Sequence, residues 1–411
     1  MKIKKKRKVY ALYLNCCLIY NILFYLVFSV EYVYMLNVVH LNTFQMVMTG
    51  VVLQLFCVCF EIPTGIVADR YSRKISAVIG FSITGIGFLI EGAIPHFMAI
   101  LAAQAIWGIG STFISGSLQA WVVDEEESVE LNKLFLRGAQ YEQIGAVIGT
   151  ILSIIIGNIK ECIPILTSGF LFILLAVYLL FVMPEVHFQK VEGKMDVLSA
   201  FRSSYYSFLD GFKMILSQRV LFLLLGIALV WGLASEGYDR LWTEQLLSIY
   251  HNKSQIFQLT DVTMVGILEL LSMLFSVFII QYVIKKLENS GEDVAKILFS
   301  INIINILFLI IFAVSNNLNL MLFSHIMIFT ARSMNQPILN STVNAYISKK
   351  IRATALSVYA QVDNIGQIAG GLAVAFISGK FSVSIGILTT VIFLIPALFF
   401  ILKLVQIQEK V

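Results

Sequence analysis

The sequence predicts an all-α membrane protein with twelve transmembrane helices in two pseudo-symmetric six-helix halves. Three observations carry this. Of the 411 residues, 58% are hydrophobic and 13% charged, where a soluble domain has about 45–50% and about 25%. The chain also parses into twelve apolar stretches, at 11–35, 45–68, 74–94, 97–123, 136–158, 163–183, 219–247, 262–284, 294–314, 318–346, 352–378 and 382–404. Finally, "QYEQIGAVIG" (140–149) returns 221 residues later as "QVDNIGQIAGG" (361–371). Both read Gln-x-acid-amide-Ile-Gly-x-x-x-Gly, and both fall in corresponding stretches, the fifth and the eleventh.

Each stretch holds about 20 residues or more, enough to cross a hydrocarbon core of about 30 Å as a helix. Lipid offers no partner to backbone N–H and C=O groups, so helices are expected. Barrel strands would alternate over about 10 residues, and nothing here alternates. A weaker echo, "GSLQAW" (116–121) against "STVNAY" (341–346), repeats the same offset of six spans. Internal repeats of this kind build many transporter folds, with the binding site between them. The small pairs Gly145/Gly149 and Gly366/Gly370 suit close helix packing.

Basic residues set the orientation. "MKIKKKRK", "DRYSRK" (69–74), the 184–219 segment, "KK" (285–286) and "KKIR" (349–352) all fall on the side of the N-terminus. The opposite loops hold Lys160, Lys253 and Lys380. Both termini are therefore expected in the cytoplasm of a multi-pass plasma-membrane protein. The first apolar run is too long for a signal peptide and lacks a small-residue cleavage site, so it is expected to stay as a helix. The expected organisation is an N-terminal half over 1–183, a linker over 184–218 and a C-terminal half over 219–411. Within the linker, Phe201, Tyr205, Phe208, Phe212 and Ile215 recur at helical spacing, as in an amphipathic helix on a membrane surface.

Cys16, Cys17, Cys57, Cys59 and Cys162 form neither a C-x-x-C nor a zinc pattern. The five histidines are scattered. No nucleotide loop, nucleophile elbow or H-E-x-x-H is present. The expectation is a non-enzymatic monomer in the lipid bilayer, with no cofactor, no metal and no nucleic-acid partner.

"GIVADRYSRK" (65–74), between spans two and three, resembles the loop signature of the major facilitator superfamily, Gly-x-x-x-Asp-Arg-x-Gly-Arg-Lys. Gly65, Asp69, Arg70, Arg73 and Lys74 match, and Ser72 stands where the family usually has glycine. With twelve spans and a six-span repeat, the resemblance covers the whole chain and implies the major facilitator fold. It implies that Asp69 contacts the start of span eleven and that Asp124, ending span four, pairs with the loop's arginines. Glu125 to Glu127 read as a solvated acidic run. "FEIPTGIVADR" and "SGSLQAWVVDE" are similar to drug-exporter-like members from Gram-positive bacteria. Two departures bear on mechanism. Gln104 stands near the place of an arginine that proton-coupled exporters carry in span four. Span five, "GAVIGTILS", lacks their Gly-Pro signature.

Ionisable residues inside a membrane are expensive and mark functional candidates. The resemblance implies that spans one, four, seven and ten line a central cavity, which makes Glu31, Trp107, Glu236, Asp239, Arg240 and Arg332 candidates for the cavity or the substrate. It places spans two, five, eight and eleven between the halves, which makes Glu142, Asp363 and Glu269 proton-coupling candidates. Buried carboxyl groups titrate nearer neutrality than exposed ones, but structural hydrogen bonding between helices is the competing role. Glu236 and Arg240 share a helix face in the favourable order, as an outer gate or as a structural ion pair. Gly232 and Gly237 flank the acid and read as a bend. Tyr238 and Trp242 fit an interfacial aromatic belt. The leading expectation is proton-driven export of a lipophilic or amphiphilic small molecule by alternating access. Import of a small polar metabolite, lipid flipping and a non-transporting sensor are the alternatives.

Overall fold

The computed structural model describes residues 2–125, 131–188, 197–253, 259–290, 294–347 and 352–408. Glu126, Glu127, Lys349 and Lys350 lie outside them. Among the described residues the chain forms fourteen helices: α1 (Lys2–Asn37), α2 (Thr43–Arg70), α3 (Arg73–Ala93), α4 (Phe97–Ile114), α5 (Ser117–Glu125), α6 (Leu131–Gly157), α7 (Cys162–Val182), α8 (Val197–Ser217), α9 (Arg219–Lys253), α10 (Asp261–Ser290), α11 (Val294–Val314), α12 (Leu318–Tyr346), α13 (Arg352–Lys380) and α14 (Val383–Gln408).

Among the described residues, ten segments are long and apolar enough to cross a membrane, with α4 and α5 counted as one. The other two expected spans, α12 and α13, are long enough at 29 residues each. Their polar side chains, among them His325, Arg332, Asn335, Gln361 and Asp363, lower their hydropathy. The twelve expected spans thus correspond to α1 to α7 and α9 to α14, with α4 and α5 as one, and α8 is the expected amphipathic connection. Span four, expected as one stretch, is broken. Gly116 at φ 72° separates α4 from α5, a backbone conformation that a side chain disfavours.

The chain divides into two compact units, Met1–His40 with Leu55–Tyr205, and Leu41–Gln54 with Tyr206–Val411. Helix α2 therefore gives its first turns to the second unit and the rest to the first. In the first unit, Tyr20, Phe24, Phe81, Phe88, Trp107 and Phe172 form an aromatic core with ring centroids 5.6–6.1 Å apart. In the second unit, Gly211 of α8 lies against Thr354 of α13. Ile215 is buried, while Tyr206 and Leu216 face outward, as a helix on a membrane surface requires.

The sequence echo corresponds to a repeated helix joint. In the first unit α6 packs on α1, and a methyl group on Gly145 or Gly149 would lie 2.5 Å from the carbonyl oxygen of Leu18 or Ile22. In the second unit α13 packs on α9. A methyl group on Gly366 would lie 2.5 Å from the Leu229 carbonyl oxygen, and one on Gly370 would overlap that of Leu233. Only glycine lets these backbones approach so closely, which is the packing role of small residues in membranes.

Candidate functional site

The motif between α2 and α3 is mostly helical. Residues 65–70 finish α2, Tyr71 and Ser72 make the link, and Arg73 starts α3. This corrects the expected loop: backbone groups inside a helix are satisfied locally, so only the link needs side-chain partners. Ser72 is the N-cap of α3, and its hydroxyl accepts from the Ile75 N–H at 2.9 Å. Its backbone is extended, at φ 179°, so serine stands there without strain. It caps the helix through a side-chain oxygen that a glycine lacks. The same hydroxyl donates to Glu185 at 2.5 Å, and Glu185 also accepts from the Lys74 N–H. Arg73 pairs with Asp124 at 2.6 Å and with Asp69 at 3.8 Å. The Asp69 side chain remains 66% exposed. Gly65 is exposed on α2 with open space where a side chain would stand.

Glu125 is not a solvated acid. It is buried, and its Oε1 accepts from the N–H groups of Val186 and His187 at 2.6 and 2.7 Å. Trp121 donates its indole N–H to the Pro184 carbonyl oxygen. The stretch after α7 is thereby fastened to the ends of α5 and α3. Sequence reasoning missed this role of Glu125 and Glu185, because an acid that accepts backbone N–H groups looks like any other acid in an acidic run.

In the second unit the expected charges of α9 meet two arginines. Glu236 and Arg240 pair at 3.1 Å, both nearly fully buried. Arg240 also donates to Thr49 at 3.4 Å, and Gln54 donates to Glu236 at 3.4 Å. Further along the helix, Glu244 accepts from Thr43 at 2.7 Å. Asp239 accepts from Arg332 of α12 at 2.5 Å. The Arg332 guanidinium lies 5.8 Å from the Trp231 ring centroid and 5.6 Å from that of Tyr238, within the range of cation–π attraction. Asp363 of α13 lies within electrostatic reach of Arg332, Glu236 and Asp239, and it accepts from Gln367 at 2.7 Å.

Tyr238 and Trp242 are buried, so the expected interfacial belt is corrected. The Tyr238 hydroxyl and His325 Nδ1 are hydrogen-bonded at 2.9 Å, and Trp242 packs on the His325 ring at 4.2 Å. The face they share points at α12 rather than at lipid. Gly232 and Gly237 do not mark a break in α9, which runs unbroken through both. A side chain on Gly232 would collide with the Asp363 backbone, and one on Gly237 with Thr390. They are sites of close approach. Along α12, His325, Arg332 and Asn335 lie on one face by their seven- and three-residue spacing. Buried polar atoms of all three, His325 Nε2, Arg332 Nη1 and Asn335 Oδ1, lack a hydrogen-bond partner. So do both side-chain polar atoms of Asn305 in α11.

In the first unit Glu31 is buried, and Gln104 Nε2 donates to its Oε1 at 2.7 Å and to Glu91 Oε2 at 3.3 Å. Trp107 belongs to the aromatic core beside them. Glu142 faces α1, where the Cys17 thiol is its hydrogen-bond neighbour. Its contact is therefore inside the first unit, because the glycines on the same side of α6 draw that face onto α1. Glu269 is buried in α10. Among the described residues, no group of three or more His, Cys, Asp or Glu side chains is arranged to hold a metal ion.

A family model described as "Major Facilitator Superfamily" matches residues 12–371. A curated protein of Bacillus subtilis (strain 168), the "Uncharacterized MFS-type transporter YxaM", is 23% identical over 358 residues, covering 85% of each chain. The fold is similar to that of the nucleoside transporter NupG, with a TM-score of 0.74, 15% identity, and coverage of 97% of each chain. It is also similar to a bacterial homologue of the human lysosomal transporter Spinster, inward-facing and unoccupied, with a TM-score of 0.72 and 14% identity over 97% and 96% of the two chains.

Proposed function

From the premise that this chain belongs to the Major Facilitator Superfamily and is a multi-pass membrane transporter, we propose that it carries an amphiphilic small molecule outward by alternating access, driven by protons. Both termini then face the cytoplasm, and the protein acts as a monomer of two six-helix halves joined by the 184–218 linker. The observation that carries this reading is the face of α12. His325, Arg332 and Asn335 each hold back a buried polar atom from any protein partner, beside the rings of Trp231, Tyr238 and Trp242. An unsatisfied buried polar group costs about 1–3 kcal/mol, so such groups in a row are those a ligand or ordered water would satisfy. Aromatic faces supply area for the apolar body of a substrate, and the α12 groups orient its polar end.

In this reading Arg332 and Asp239 are the polar contacts, Glu236 and Arg240 gate the same helix, and Asp363 responds to the charge state of the cluster. Arg73, Asp69 and Asp124 hold the α2–α3 link in the conformational cycle, with Gly65, Arg70 and Lys74 as the remaining motif positions. Glu142 and Glu269 stand with Asp363 as the proton-coupling candidates. Purified protein in liposomes, with an imposed pH gradient, should move a lipophilic cation or another amphiphile from a panel that also contains nucleosides and sugars. Arg332→Lys keeps the charge but loses the planar stacking group, and it should lower transport at least about tenfold while the protein stays folded. Gradient-independent movement, or full activity in Arg332→Lys, overturns the reading.

A second reading is uptake of a small polar metabolite. It is favoured by the hydrogen-bonding character of Asn305, His325 and Asn335 and by the fold likeness to a nucleoside transporter. Movement of nucleosides alone across the panel would select it.

A further inference from the structure

We propose that the ion pair of Asp239 and Arg332 is the headgroup site for a zwitterion, a small molecule with an ammonium and an anionic oxygen group beside an apolar body. This deepens the reading of the α12 face and rests on it. Pairs of arginine and carboxylate frequently close through two parallel hydrogen bonds. Here Arg332 Nη2 donates to Asp239 Oδ2 at 2.5 Å, and among the described residues no second bond joins them. Arg332 Nη1, the other arm of the same fork, is buried and without a partner. Asp239 Oδ1 takes no hydrogen bond from the described residues, and the side chain is 43% exposed. The pair therefore keeps one free donor with positive charge and one free acceptor with negative charge, within one guanidinium and one carboxylate of each other.

Asp239 is an opening in an otherwise closed stretch of α9. Its neighbours Glu236, Tyr238 and Arg240 are 4%, 3% and 4% exposed. Ionisable groups within a span face a partner or a cavity. Asp239 gives one oxygen to its partner on α12, and the open one belongs to a cavity. Asn335, one turn beyond Arg332 on the same face of α12, adds a buried carbonyl oxygen without a partner. That oxygen accepts from an ammonium as a carboxylate does. The rings of Trp231 and Tyr238 stand 5.8 and 5.6 Å from the Arg332 guanidinium. They place an aromatic wall for the apolar body beside the site for the charges.

The charges of the cluster select among ligands. Glu236 and Arg240 pair with each other on α9. Asp363 of α13 is a further acid within electrostatic reach of Arg332, and it accepts from Gln367. A lone cation satisfies Asp239 Oδ1 but leaves Arg332 Nη1 unpaired and adds a like charge beside the guanidinium. A lone anion satisfies Nη1 but faces Asp239 and Asp363. A zwitterion satisfies both free ends, and it brings no net charge into a place where an uncompensated charge is costly.

Four probes that share one phenyl group separate the possibilities. Phenylalanine is the zwitterion, phenethylamine the cation, hydrocinnamate the anion and hydrocinnamyl alcohol the neutral compound. Binding of each to the purified full chain is measured by isothermal titration calorimetry near neutral pH. Phenylalanine should bind at least about tenfold more tightly than each of the others, because each of them forfeits a hydrogen bond to a charged group. Asp239→Asn should shift the preference to hydrocinnamate, and Arg332→Gln should shift it to phenethylamine. A loss of fold weakens all four alike, whereas crossed preferences require that each residue meets its own end of the ligand. Equal affinity for the four, a wild-type preference for any probe but phenylalanine, no binding at all, or variants that keep the wild-type order overturns the site. Phenethylamine bound best and moved by the pH gradient would remove the zwitterion and leave outward carriage of an amphiphile standing. Phenylalanine bound best but not moved by the gradient would leave the site standing and remove the proton-driven reading instead.

Discussion

In the first unit Glu31 and Glu91 share the amide nitrogen of Gln104, whereas in the second Glu236 and Asp239 meet Arg240 and Arg332. Both regions bury acids in helices, yet the partners differ in charge. An arginine stays charged at any ordinary pH, so Glu236 and Asp239 each have a permanent positive partner. Gln104, a neutral amide, donates to both acids of the first cluster without adding a charge of its own. Buried acids of similar appearance in sequence therefore divide into those that pair with an arginine and those that accept from an amide.

The sharpest way to break this comparison is Arg240→Met. It leaves Glu236 buried beside no arginine of its own helix, and removing one partner of a buried pair costs about 3–5 kcal/mol. Changing both residues, Glu236→Gln with Arg240→Met, should recover most of that loss. A double-mutant cycle read by thermal unfolding decides it, and two additive losses would mean the pair is not coupled.

The glycine joints should follow. Gly370→Ala forces a methyl group onto the Leu233 carbonyl oxygen, whereas Gly149→Ala leaves 2.5 Å to that of Ile22. Overpacking costs about 1–3 kcal/mol, and Gly370→Ala should be the worse of the two. Folded yield by size-exclusion chromatography gives the ranking, and equal yields would show that α13 and α6 relax alike.

Glu125→Gln keeps an acceptor for Val186 and His187 but removes the charge that strengthens both hydrogen bonds. A loss of about 1–2 kcal/mol is expected, with faster proteolysis after α7. Ser72→Gly restores the residue common in the family motif and should do least. It removes the α3 cap at a cost of a few tenths of a kcal/mol. A melting temperature lowered by more than about 2 °C would mean that the Glu185 contact matters more than the cap.

Much of the fold was legible in order. Apolar stretches of about 20 residues dictate helices wherever lipid offers no hydrogen bonds, and the Gly-x-x-x-Gly echo pointed to a repeated joint that the structure contains at α1/α6 and α9/α13. The Glu236–Arg240 pair followed from four-residue spacing alone. Contacts between helices distant in sequence were not legible. Nothing in "LIEGA" (89–93) and "AAQA" (102–105) announces that Glu91 and Gln104 meet Glu31, because pattern along one helix says which face is polar but not which helix faces it. The same limit concealed Glu125 as an acceptor of backbone N–H groups and turned Tyr238 and Trp242 from expected lipid-facing aromatics into the packing of His325.

The sequence by itself determined that this chain is a multi-pass helical membrane protein with an internal repeat and a motif of the Major Facilitator Superfamily, because hydropathy and local spacing are properties of consecutive residues. Tertiary structure alone decided which acids meet arginines and which meet an amide. That choice depends on how helices far apart in the chain rotate and pack until close-approach glycines and buried polar groups are satisfied together.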